Sequence, residues 1–201
     1  MKKSYCLSIL LAGAIVELTL LGACTSTPSD SHDATPNAEE MLTKALLTKD
    51  DVPAGWYEVK VKPDTAADAI GRAVDFQGAS DIGLSWVKLL QEVYLYTTNE
   101  SATRAYQQLI GQGFPALGKA GSWEPVPEFQ ALSHADHVTI ACLPVQINQE
   151  SVQSCRSVAQ YQTLIVVMYS NLLEDRWMTV EGFKKALSAM DRRAMEALSK
   201  P

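Results

Sequence analysis

The sequence predicts a single α+β domain, a central, mostly antiparallel sheet packed with about three helices. Three observations point there. Apolar residues recur at helical spacing near the start, the middle and the end of residues 38–201. The stretches between are rich in β-branched and aromatic residues. The same stretch holds no internal repeat and no second linker, and its length suits one domain.

The first helix starts at Asn37 as cap, with Ala38, Met41, Leu42, Ala45 and Leu46 as its apolar stripe and Glu40 three residues in. Residues 56–62 then alternate, with Tyr57, Val59 and Val61 on one face of a strand and Glu58, Lys60 and Lys62 on the other. A short run at 74–76 predicts an edge strand, and 87–97 a long one. Asn99 reads as the cap of a second helix, which carries Ala102, Ala105, Tyr106, Leu109 and Ile110 and stops at Gly111 and Gly113. Strands follow at 138–147 and 157–169. The second is apolar on both faces from Leu164 to Met168, the mark of a central strand covered twice. The last helix begins near Thr179 and buries Val180, Phe183, Leu187, Met190, Ala194 and Leu198. Its basic side chains Arg192 and Arg193 read as complements of the helix dipole.

Ahead of this domain lies an export signal. Lys2 and Lys3 precede an apolar run that ends Leu21-Gly22-Ala23-Cys24, and this resembles the bacterial lipobox. The reading is a signal peptide over residues 1–23, cleaved before Cys24, which receives the lipid. Glu17 interrupts the run. The competing reading is an uncleaved signal anchor, but a run this short and interrupted spans a bilayer poorly. Residues 24–37 are rich in Ser, Thr, Asp and Pro and form a flexible tether. The predicted location is therefore the extracytoplasmic face of the cell membrane.

Losing a leader that holds two lysines and one glutamate takes the net charge from −6 to −7. An acidic surface argues against nucleic acid and against adhesion to anionic lipid heads. Membrane attachment would rest on the acyl chains at Cys24, and two or three chains suffice.

Cys6 leaves with the leader and Cys24 is committed to lipid, so Cys142 and Cys155 remain. An even count in an oxidising compartment favours a disulfide. A tight turn at Asn148-Gln149 would set the two opposite each other at a non-hydrogen-bonded pair, where side chains approach most closely. A longer turn would shift that register. A reactive thiol pair would prefer CxxC spacing, which is absent.

Candidate chemistry is sparse. The segment 113–120 falls one residue short of a phosphate-binding loop, because Ala120 stands where a Ser or Thr would hold magnesium, and it follows a helix. Ser85-Trp-Val-Lys88 matches an SxxK core without the partner elements of penicillin-interacting enzymes. His134-Ala-Asp136-His137 offers three ligand types in four residues, but strand alternation aims His134 and Asp136 to one face and His137 to the other. Trp56, Trp86, Trp123 and Trp177 could wall a ligand cleft or fill the core. Asp50, Asp51, Asp64 and Asp68 read as turn or cap residues. No cofactor or metal site is predicted.

Ala45-Leu-Leu-Thr-Lys-Asp-Asp-Val-Pro-Ala-Gly-Trp56 resembles the opening motif of small secreted bacterial lipoproteins, similar to the extracellular sensor domains of PknH-type receptor kinases and to LpqN-like lipoproteins. Val52 stands where the motif usually has leucine. The resemblance implies a sandwich built on an antiparallel sheet, one or two disulfides, and a non-catalytic binding or sensing role. The expected function is thus a lipid-anchored binding module for a small ligand, an envelope component or a protein. The alternative is a cell-surface hydrolase around His134 and His137. A concave pocket with converging tryptophans would favour a small ligand.

Overall fold

A computed structural model describes residues 36–63, 66, 68–78, 88–129, 132, 134–147, 149–173 and 178–199. Helix α1 (Pro36–Ala45) leads through a 3-10 turn (Lys49–Asp51) to strands β1 (Tyr57–Lys60), β2 (Ala69–Gln77) and β3 (Lys88–Tyr96). Helix α2 (Asn99–Gly113) follows, then β4 (Glu124–Pro125), a second 3-10 turn, β5 (His137–Ile147), β6 (Glu150–Tyr161), β7 (Leu164–Leu172) and helix α3 (Val180–Leu198). The strands form one sheet in the order β1-β2-β3-β7-β6-β5-β4, and every neighbouring pair is antiparallel. This is an α+β domain made of two meanders joined by α2, with β3 and β7 side by side at the seam.

The run Leu164 to Met168 is central, as its two-sided apolar pattern requires, and all five residues are buried. One face of the sheet packs on α1 and α3, through Leu42, Phe76, Met168, Phe183 and Met190. The other packs on α2, through Tyr94, Phe114, Val158 and Ile165. Two helices cover the first face and one covers the second.

Several local predictions need correction. The run 74–76 belongs to the nine-residue β2, which is interior; the edge is β1, where Tyr57 is 48% exposed. The run 157–169 is two strands, divided at Gln162, whose φ of 52° turns the chain. Periodicity missed this break because Gln162 and Thr163 lack the usual glycine, proline or asparagine. Asn37 lies inside α1, so it is not the cap. Thr98 caps α2 by accepting from the Ser101 amide at 3.1 Å, while Asn99 accepts from Gln160 Nε2 at 2.9 Å. Thr179 caps α3, accepting from the Gly182 amide at 3.0 Å.

Helix α1 ends without glycine. Fully buried Gln91, on β3, supplies the missing partners: its Oε1 accepts from the Leu47 amide at 2.6 Å and its Nε2 donates to the Ala45 carbonyl at 3.1 Å. Among the described residues, no helix is long and apolar enough to cross a membrane.

Candidate functional site

On the α2 face, alternate residues of β3 place Leu90, Glu92, Tyr94 and Tyr96 in one line. Register sets Tyr169 beside Leu90 and Arg156 beside Tyr169, so β3, β7 and β6 contribute one continuous row. Above it, Ala105, Leu109 and Gln112 share one face of α2 by three- and four-residue spacing. A hollow of about 380 Å³ opens between helix and sheet, walled by these α2 residues and by Glu92, Tyr94, Tyr96 and Arg156. A second hollow of about 170 Å³, bounded by Leu90, Val167 and Tyr169, shares Glu92 and Arg156 with the first. The two make one groove.

Its lining is mixed. Leu109, Ala105 and the tyrosine rings are apolar, whereas Glu92, Arg156, Gln108 and Gln112 offer charge and hydrogen bonds. Burial, reinforced by the Asp68 carboxylate, pushes the Tyr96 hydroxyl up, so it stays protonated as a donor. The Arg156 guanidinium lies over the Phe114 ring, 6.0 Å from its centroid. It also lies against the end of α2, where a Cβ on Gly113 would come within 2.7 Å of Arg156 Nη1. A helix C-terminus favours a cation there.

The residues singled out from sequence fall elsewhere. His134 Nδ1 is 2.6 Å from Asp191 Oδ2, on the α3 side, and buried Tyr161 donates its hydroxyl to Asp191 Oδ1 at 3.0 Å. His137 lies on the α2 side, its ring 5.5 Å from that of Tyr106. The two imidazoles therefore do not converge, as alternation anticipates, and neither lines the groove. Asp136 accepts from the Gln162 amide at 2.6 Å, a structural duty. Among the described residues no group of three His, Cys, Asp or Glu side chains could hold a metal.

Neither of the two described tryptophans walls the groove. Trp56 packs against the α1/α3 core and Trp123 meets Phe114 edge-on at 5.2 Å; Trp86 and Trp177 lie outside the described residues. In the glycine-rich connector the amides of Leu117, Gly118, Lys119 and Ser122 donate to carbonyls of the same loop, so these four are turned inward and do not point at a ligand. Ser85 of the SxxK match, Asp64 and the lipobox Cys24 lie outside the described residues.

Cys142 pairs with Cys155 in the β5–β6 register, their Cα atoms 4.1 Å apart, and the two form a disulfide. Ile147 opposes Glu150, so the hairpin turn has two residues, of which Asn148 lies outside the described set. The bridge staples a hairpin and lies on the α1/α3 face of the sheet, opposite the groove face to which the adjacent Arg156 points.

Arg156 and the tyrosines of β3 were missed in the sequence. The one available signal is that Arg156 is the lone basic residue in the 150–161 run, alternating with Cys155 and Ser157, which point to the α1/α3 face.

No family model matches the chain, and no curated protein is similar to it in sequence. Among solved structures the fold is similar to the extracellular domain of PknH from Mycobacterium tuberculosis, with a TM-score of 0.56 and 11% identity over 82% of this chain and 98% of that one. At that identity the likeness is one of fold.

Proposed function

We propose that this chain is a lipid-anchored extracytoplasmic binding or sensing lipoprotein without catalytic activity, whose ligand occupies the groove between α2 and the sheet. The groove carries the reading. It is concave, pre-formed, walled by tyrosines and aliphatic side chains, and furnished with a few polar groups, which is the usual make-up of a small-molecule site. The likeness in fold to an extracellular domain supports the compartment, as does a disulfide, which persists where the milieu is oxidising. Kinship with LpqN-like lipoproteins rests on the opening motif and the leader.

Two experiments test it. Native mass spectrometry of the purified protein should find a small molecule retained, and Ala105→Trp, which fills the groove, should expel it. Retention by the filled variant would remove the groove from consideration. Mass spectrometry of the processed N-terminus should find acylated Cys24; a free thiol on an uncleaved chain would refute the anchor.

The hydrolase reading draws on the His134–Asp191–Tyr161 chain, since a buried carboxylate that holds an imidazole is the orienting half of a general base. It is the weaker reading, because this chain lies across the sheet from the groove.

A further inference from the structure

Arg156 is the unusual group in the groove. It is half-buried, yet among the described residues it has no ion-pair or hydrogen-bond partner, and its Nε is buried with none. A guanidinium loses hydration on burial and ordinarily recovers it through a carboxylate, a phosphate or carbonyl oxygens. The other basic side chains near buried surface do so: Arg193 and Arg192 both reach Asp51. Arg156 has only the face of Phe114. Gly113 contributes by what it lacks, since any side chain there would displace the guanidinium. The cation is thus positioned by apolar contacts and presents its donors at the wall shared by both hollows.

We infer that the groove takes a small amphipathic oxyanion, a carboxylate or phosphate ester on an apolar or aromatic body, with its oxygens on Arg156 and its body between Tyr94 and Leu109. This deepens the binding function proposed above and rests on it. A carboxylate or phosphate matches the guanidinium fork with two parallel hydrogen bonds.

The test is calorimetric titration of the full chain with phenylacetate, phenyl phosphate and neutral phenylacetamide. At least one anion should bind saturably, about tenfold or more tighter than the amide. Arg156→Met should lose about tenfold or more of the anion affinity, and Arg156→Lys should keep part of it. Gly113→Ala should weaken the anions with Arg156 intact. In the absence of ligand, Arg156→Met should melt no lower than the parent, because it removes a poorly solvated cation; a residue serving only the fold would behave oppositely. The inference is overturned if neither anion binds saturably, if the amide equals the anions, or if Arg156→Met binds them as the parent does. Equal binding of all three probes, abolished by Ala105→Trp, would sink the anion assignment and leave the groove reading standing.

Discussion

Arg193 donates from Nε to Asp51 Oδ2 at 2.6 Å, across 142 residues of chain. The same oxygen accepts from the amide and hydroxyl of Thr48, at 2.9 and 3.0 Å, and Arg192 reaches the other oxygen at 3.3 Å. Asp51 is thereby both the lock of a capping turn and the dock for α3. The two arginines are not dipole complements at a helix end, as their sequence position suggests; they pair with a carboxylate from the opening motif. Of that motif's residues, Pro53 and Gly55 (φ 87°) bend the chain toward Trp56, and Asp51 holds the bend to the last helix. Thr48, Asp51, Pro53 and Gly55 of the motif thus have structural duties.

Asp51→Asn should cost about 2 kcal/mol, since it leaves Arg193, mostly buried, without its counter-charge. Burial is the largest influence on the Asp51 carboxyl and pushes it up, but the Thr48 hydrogen bonds and Arg193 together outweigh it, and the net shift is downward. The folded state then holds its proton less tightly than the unfolded one. Stability from this group is present above the ordinary aspartate value, about 4, and is lost as pH falls through the lower folded value. Urea unfolding from pH 7 to pH 3 should show a steeper acid decline in the parent than in the variant.

Asp75 should behave with the opposite sign. Burial dominates and pushes its carboxyl up, the Gln77 amide and Lys88 pulling only weakly against it, and its Oδ1 is buried with no partner among the described residues. Its contribution is present below about pH 4 and is lost as pH rises through the raised folded value. Asp75→Asn should therefore leave stability at pH 7 unchanged or raise it by about 0.5–1 kcal/mol. A loss beyond 1 kcal/mol in the same urea series would show that the charge is in fact well solvated.

Tyr161→Phe should cost about 1–2 kcal/mol, because it strips Asp191 Oδ1 of its short partner inside the α1/α3 core. His134, 55% exposed, pairs with the same carboxylate at little cost or gain, so His134→Ala should change stability by about 0.5 kcal/mol or less. Its effect should be local: faster amide exchange at residues 134–136, with the global unfolding curve unmoved.

Replacing both Cys142 and Cys155 by serine should lower stability by about 3 kcal/mol, the chain-entropy value for a bridge spanning 13 residues. Chemical denaturation of the oxidised parent against the double variant measures it. Coincident midpoints would mean that the β5–β6 ladder already suppresses the open chain without the bridge.

Where secondary structure depends on neighbours in sequence, the reading was close. Three apolar stripes gave three helices, a two-sided apolar run gave the central β7, and counting outward from a two-residue turn placed Cys142 against Cys155. Alternation also separated His134 from His137. It failed at Gln162, where an ordinary residue takes the left-handed turn, and at 74–76, where Ala69, Gly71 and Ala73 look too weak for a strand yet pair with β3 along its whole length. A strand flanked on both sides tolerates small residues because its partners supply the ladder.

The groove was beyond reach. It needs Tyr94, Leu109 and Arg156, drawn from three elements, to meet at one wall, and the local pattern around each is that of an ordinary strand or helix. The sequence by itself determined which residues are helical, which alternate, and which face each turns to the core, because those are consequences of backbone geometry and hydrophobic burial over a few residues. Only the tertiary structure decided that, among the described residues, α2 alone would cover its side of the sheet and a guanidinium at the helix end would have no counter-charge, because coverage and charge pairing are settled between segments far apart in the chain.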